Sequence, residues 1–231
     1  TKYAEKKSKN IQFEVGTEEQ VSNISPLKDV IDMVSKLINK TKKLNLPKPL
    51  FVVVQTGTKV LETKNVGSFD NPVRIPSELP PEINIPKIIQ ISNDMGFLIK
   101  QHNSDYLSDG ALKWTPKLGI HAVNVAPEFG VAETKGLINY LDEKNSKNLK
   151  EEFIKIVVES KKWIKWLEKN SKANDLDKTV IAGHYTFSTD KFLDLYAKIC
   201  SLDKSFNLED YLKLCVKKSI LRYINHFRLN K

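Results

Sequence analysis

Four short apolar runs mark the first half of the chain, each about five residues long and bounded by polar residues, glycine or proline, the pattern of buried strands. They fall at residues 11–15, 51–55, 97–101 and 119–125. Between the first two, Val30, Ile31, Val34, Leu37, Ile38 and Leu44 recur at helical spacing, and Pro47 and Pro49 end that helix. Between the second and third, a polar, proline-rich passage from Asn71-Pro72 to Pro80-Pro81 precedes a helix near 82–93 with Ile85, Ile88, Ile89 and Ile91 on its apolar face. Gly96 opens the next strand. Strands alternating with helices predict βαβ units and a parallel sheet covered on both sides.

After Pro127 the pattern becomes almost wholly helical. Helices are expected over 128–141, 149–167, 189–199 and 208–227, the second burying Phe153, Ile156, Val157, Ile164 and Leu167 with Trp163 or Trp166. Residues 179–187 fit a short strand or a helix end, and Ser188-Thr189-Asp190 after them is an N-cap signal. With no internal repeat or long linker, the reading is one compact unit: a β/α portion over 1–145 and a helical C-terminal extension over 146–231. A closed barrel of eight parallel strands takes about 250 residues, and four strands are visible. The expected fold class is therefore α/β of the (β/α)8 TIM-barrel type, the C-terminal half of the barrel plus the extension.

Side-chain alternation along the strands places the chemistry. Ile11, Phe13 and Val15 share one face and leave Glu14 on the other; Phe51, Val53 and Gln55 go together; Phe97 and Ile99 oppose Leu98, Lys100 and His102. His121 and Asn124 fall on opposite sides of the fourth strand. Barrels present catalytic groups at the C-terminal ends of their strands, so Glu14, Gln55, Lys100, His102 and one of His121 or Asn124 are expected to converge on one mouth. Gln101-His102-Asn103-Ser104-Asp105-Tyr106 adds a dense polar loop suited to ligand contact, with Ser104 or Asp105 also able to cap a following helix. Gln55-Thr56-Gly57-Thr58-Lys59 supplies a glycine-bearing turn, hydroxyls and a lysine after a buried strand, able to cradle an oxyanion or phosphate. It lacks the second glycine of a Walker loop. Asn124 precedes a helix entered through Pro127 and Glu128, which favour a helix N-terminus. His184, in Gly183-His184-Tyr185, is expected either to fold over the mouth or to pack beneath the helices.

Composition narrows the partners. The 231 residues are 40% hydrophobic and 28% charged, a globular balance. No apolar run approaches the roughly 18 to 20 residues needed to span a bilayer, and Thr1-Lys2-Tyr3-Ala4 lacks the apolar core of a secretion signal, so a cytoplasmic, membrane-free protein is expected. The net charge of +9 comes from 34 Lys and only three Arg, namely Arg74, Arg222 and Arg228. Arginine reads phosphate and guanine bidentately. A basic surface so poor in it speaks against nucleic acid. Cys200 and Cys215 lack metal or redox spacing and read as reduced packing residues.

The motif order Val15-Gly16-Thr17-Glu18, Phe51-Val52-Val53-Val54-Gln55 with Gly57, His102 with Asp105-Tyr106, then Ala126-Pro127 and Arg222-Tyr223 resembles the accessory, so-called non-catalytic subunit family of class II tagatose-bisphosphate aldolases. The resemblance implies a (β/α)8 barrel, a sugar-phosphate context and a helical C-terminal extension, with Glu18, Gln55, His102 and Asp105 as the matching polar positions. Members either support an aldolase or act as metal-assisted ketose epimerases. Here Glu18 runs into Glu19-Gln20-Val21-Ser22 in place of the family's proline- and glycine-rich loop, and Lys100 and His121 stand where other polar residues are usual.

The expected function is action on a ketose or ketose phosphate by epimerisation or aldol cleavage. Both reactions need a polarised carbonyl and a moved proton, work suited to a divalent metal, zinc for preference. Glu14, His102 and His121 are then the ligands, Asp105 or Glu18 the acid and base, and Gln55, Thr56, Gly57, Thr58, Lys59, Asn103, Asn124 and His184 the substrate contacts. Lys100 offers a rival, a Schiff base with the ketone. The alternative is an accessory subunit without turnover that stabilises a partner aldolase or assembles with copies of itself, through Trp163, Trp166, Tyr211 and Phe227.

Overall fold

The computed structural model describes residues 2–7, 10–16, 26–71 and 79–229. The chain divides into two compact units, Thr1–Val60 with Asn65–Val125, and Leu61–Lys64 with Ala126–Lys231. Glu18 and the proline-rich residues 72–78 lie outside the described residues.

In the first unit a short helix, α1 (Lys2–Lys7), precedes β1 (Glu14–Gly16), α2 (Leu27–Lys43), β2 (Phe51–Val54), α3 (Pro81–Met95), β5 (Leu98–Gln101), α4 (Asp109–Lys117) and β6 (Ala122–Val123). The two-residue strands β3 (Val60–Leu61) and β4 (Lys64–Asn65) form a hairpin after β2. The main sheet has four parallel strands in the order β1-β2-β5-β6. Its strands therefore neighbour one another in the order in which they occur along the chain, hairpin aside.

Helices cover one face of this sheet. Val30 and Val34 of α2, Val52 and Val54 of β2, Ile88 of α3, and Phe97 and Ile99 at β5 form a single buried cluster, so α2 and α3 share one side. The register rows Gly16–Val53–Lys100–Ala122 and Glu14–Phe51–Leu98 define the other face. Gly96 ends α3 in the left-handed region at φ 66°, where its own amide and that of Phe97 close back on Asn93 and Ser92. This reversal delivers Phe97 to the core and sets the alternation of β5.

The second unit is helical: α5 (Pro127–Glu143), α6 (Lys147–Ser160), a 3₁₀ turn at Ile164–Trp166, α7 (Asp175–Ala182), a 3₁₀ turn at Gly183–Thr186, α8 (Asp190–Ser201) and α9 (Leu208–His226). Leu137, Ile138, Tyr140 and Leu141 of α5 share a core with Phe153, Val157, Ile181, Phe192, Leu195, Ile199 and Leu212. That is why α5 groups with the helices, whereas the sequence placed residues through 145 with the strands. The helix expected over 149–167 stops at Ser160 because Lys161 turns left-handed at φ 56°. The ambiguous 179–187 segment is the end of α7 followed by 3₁₀ backbone. Thr189 caps α8, accepting from the Phe192 amide, as expected. Trp163, Trp166 and Tyr211 pack against this core, and both cysteines are free thiols. Among the described residues no helix is long and apolar enough to cross a membrane.

Candidate functional site

The face of the sheet opposite α2 and α3 turns polar toward the C-terminal ends of its strands. Glu14 from β1 and Lys100 from β5 form an ion pair at 2.6 Å, with the lysine side chain 19% exposed and the glutamate 42%. Beyond Lys100 on the same face, the His102 ring takes its Nδ1 to Gln55 Nε2 at 3.3 Å and to Asn103 Nδ2 at 3.4 Å. Two amide donors at Nδ1 make it an acceptor and leave the proton on Nε2. Burial lowers the His102 pKa below the ordinary histidine value, while the Glu14 charge acts in the opposite direction. At neutral pH the ring is therefore a neutral imidazole.

Residues 55–58 and 103–105 are buried, and several of their polar atoms are hydrogen-bonded. Thr58 donates its hydroxyl to the His102 carbonyl and lies 3.4 Å from the Thr56 hydroxyl. Gly57, at φ 81°, accepts the Phe69 amide on its carbonyl at 2.8 Å. Ser104 sends its amide to the Asn124 carbonyl and its hydroxyl to Gln101 Oε1, both at 2.9 Å. Thus Gln55, Thr56, Thr58, Asn103, Asp105 and Asn124 all come together at one end of the sheet, and the Lys59 amide points to Asn65 Oδ1 at 3.2 Å. The helix after this loop is capped by Ser108, not Ser104 or Asp105. Asp70 in turn accepts from the Ser108 amide at 2.7 Å.

Two expected site residues lie elsewhere. His121 stands one position before Ala122, opposite the Lys100 row, and its Nδ1 accepts the Ile99 amide at 3.1 Å. His184 belongs to the second unit, where its ring lies 4.0 Å from that of Tyr185 and against Gly130. Among the described residues no three His, Cys, Asp or Glu side chains gather closely enough to hold a metal ion. The expected Glu14–His102–His121 set does not fit a metal: Glu14 is paired with Lys100 and His121 faces away.

Sequence reasoning missed Asn65, whose side-chain amide joins both loops. No signal marked its hairpin, because the turn uses Glu62 at φ 53° where Asn-Gly would have announced it. In the second unit, Glu128 accepts from Tyr223 and, at 3.3 Å, from Arg222, so the Pro127 and Arg222-Tyr223 motifs meet there.

Among solved structures, the architecture matches a probable tagatose 6-phosphate kinase from Sinorhizobium meliloti 1021 at 13% identity and a TM-score of 0.68, over 93% of this chain and 62% of that one. The chain shares its fold. A fructuronate-tagaturonate epimerase from Cohnella laeviribosi matches at 12% identity and a TM-score of 0.60, over 97% of this chain and 48% of the epimerase. The chain thus spans less than two thirds of the length of either protein. No protein-family model matches it, and no curated protein matches it in sequence.

Proposed function

We propose that this chain serves carbohydrate metabolism and acts on a ketose or ketose phosphate, moving a proton beside the carbonyl in an epimerisation or aldol cleavage. The observation that carries this reading is the shared face of Glu14, Lys100, Gln55 and His102 at one end of parallel strands. The sugar chemistry named for both fold neighbours supports it. Sequential strand order with α2 and α3 on one side supports the winding of a (β/α) barrel over that of a doubly wound sheet, whose order reverses. We read the first unit as part of such a barrel.

In this proposal the neutral His102 directs its Nε2–H to the carbonyl oxygen and Lys100 supplies the positive charge. Glu14 accepts the proton from the adjacent carbon, and the electron pair passes to the carbonyl oxygen. Protonation of the resulting enediolate on the opposite face by water gives the epimer; in the aldol outcome Glu14 instead takes the proton of the hydroxyl one carbon further on, that oxygen's electron pair forms the new carbonyl, and the pair of the broken carbon–carbon bond passes to the ketone oxygen. Paired with Glu14 at 2.6 Å, Lys100 offers a fixed cation and not the free amine that a Schiff base needs.

Proton NMR in D2O with fructose 6-phosphate and tagatose 6-phosphate tests this. Deuterium is expected at the carbon beside the carbonyl, with rates at least about 100-fold lower in Lys100→Met and His102→Gln. Binding of either sugar without exchange points to the accessory, non-catalytic role; neither binding nor exchange removes the sugar reading.

A further inference from the structure

We propose that Asn65 is the positioning residue of the His102 loop, holding the backbone in the shape that fixes which ring nitrogen of His102 carries the proton. This rests on the reading of His102 as part of the site. A side-chain amide has two N–H donors and an oxygen able to accept twice, and Asn65 uses all four. Its Nδ2 donates to the carbonyls of Asn103 at 3.0 Å and Asp105 at 2.9 Å. Its Oδ1 accepts the amides of Lys59 at 3.2 Å and Gly67 at 3.3 Å. One side chain therefore ties the loop after β2 to the loop after β5.

The loop it holds is one that needs holding. Asn103 and Tyr106 both sit in the left-handed region, at φ 55° and 58°; asparagine tolerates it, but a bulky residue such as Tyr106 adopts it only when its surroundings impose it. With Thr58 on the His102 carbonyl, segment 58–65 supplies donors to three of the four carbonyls from His102 to Asp105. The consequence runs through Asn103: its backbone, pinned by Asn65, aims its Nδ2 at His102 Nδ1, 3.4 Å away. Asn65 touches neither the ring nor the face where the substrate is proposed to lie. Its neighbourhood leaves no slack, since a Cβ on Gly67 would fall 2.0 Å from the Gly57 carbonyl oxygen.

Asn65→Asp is the sharpest variant, because the carboxylate keeps both acceptor contacts and replaces the two donors with charge facing two carbonyls. The readout is the pair of His102 ring ¹⁵N shifts at pH 8, without ligand. Wild type is expected to show one protonated and one bare nitrogen, with Nε2 protonated. In Asn65→Asp the two shifts are expected to move toward each other, and amide exchange at 103–106 to rise at least tenfold, with His121, His184 and His226 unmoved. Wild-type His102 shifts and loop exchange in a folded Asn65→Asp would overturn the proposal. Should that variant not fold, exchange of the Asn65 side-chain amide in wild type decides: strong protection supports the role, and the rate of a free amide overturns it. Tautomer loss in the variant, with no sugar turnover in wild type, would leave Asn65 in its role and remove only the sugar reading.

Discussion

The two units differ in how far their buried polar groups reach along the chain for a partner. In the helical unit the buried polar residues are Thr134, Thr179 and Thr186, and each hydroxyl bonds a carbonyl three or four residues earlier in its own helical segment, at 2.9, 2.7 and 2.7 Å. In the sheet unit Ser92 and Thr115 bond locally in the same way, at 2.7 and 2.9 Å, but at the strand ends Thr58 reaches His102, Gln55 reaches His102 and Asn65 reaches Asn103 and Asp105, all across long sequence separations. Local bonds need only a helix. Long-range ones require the two loops to be placed correctly, and they concentrate where the candidate chemistry is. The helical unit is held by apolar and aromatic surface: Phe153 packs with Phe187 and Phe192. Burial there is about area; in the sheet unit it is also about direction.

The largest expected effect sets one unit against the other. Phe153→Ala should cost the helical unit about 3–5 kcal/mol, the range for a large side chain truncated in a packed core, read by urea unfolding followed through Trp163 and Trp166 fluorescence. Thr58→Val in the sheet unit keeps the volume and removes one donor, so its cost should be about 1–3 kcal/mol, read by amide exchange in β2 and β5. Its sugar-dependent proton exchange should nevertheless fall at least tenfold. If Thr58→Val leaves that exchange intact while Phe153→Ala abolishes it, the contrast between the two units is wrong.

Most of the sheet was legible because its alternation is strict. Once Ile99 packs inward with Val52 and Val54, Lys100 and His102 must face the other way, and period-2 reading had already put Glu14, Gln55, Lys100 and His102 together. Strand ends were less legible: β1 and β6 proved to be two or three residues of longer apolar runs, because ladder bonds and not hydrophobicity define them. The Glu14–Lys100 pair escaped notice since a pattern gives a face but not a distance. His121 was left open by the alternation itself, and only the Lys100–Ala122 register decided its side. Asn65 was invisible in kind. Its role depends on a positive-φ turn built from ordinary residues, with no glycine or Asn-Gly to mark it. The early end of α6 has the same cause at Lys161.

Acid should act on the helical unit through His184. Burial pushes its pKa down to about 4, against about 6.5 in the unfolded chain. Between those values the unfolded state binds the proton and the folded state does not. Stability is then full above about pH 6.5 and is lost progressively as pH falls toward 4. His184 Nδ1 is buried without a hydrogen-bond partner among the described residues, so His184→Phe should flatten this dependence, measured as the urea midpoint of the helical unit at pH 7 and at pH 4.5. An unchanged acid slope in the variant would assign it to other groups.

The smallest effect on stability, and the one that tests the site most directly, comes from Glu14→Gln. Both members of its pair with Lys100 are partly open to solvent, and pairs of that kind contribute about 0–1 kcal/mol, so unfolding should barely change. The ring of His102 should respond all the same. Burial lowers its pKa and the Glu14 charge opposes that; removing the charge leaves burial unopposed, and the ¹⁵N-detected titration of His102 should move to still lower pH. The direction separates two pictures of this end of the sheet. If Glu14 and His102 share one face, as the register rows place them, the shift is downward and His121, on the other side, does not follow. An unmoved His102 would mean that the two groups do not sense each other, and a proton taken by Glu14 from the carbon beside a carbonyl held by His102 would have lost its geometry.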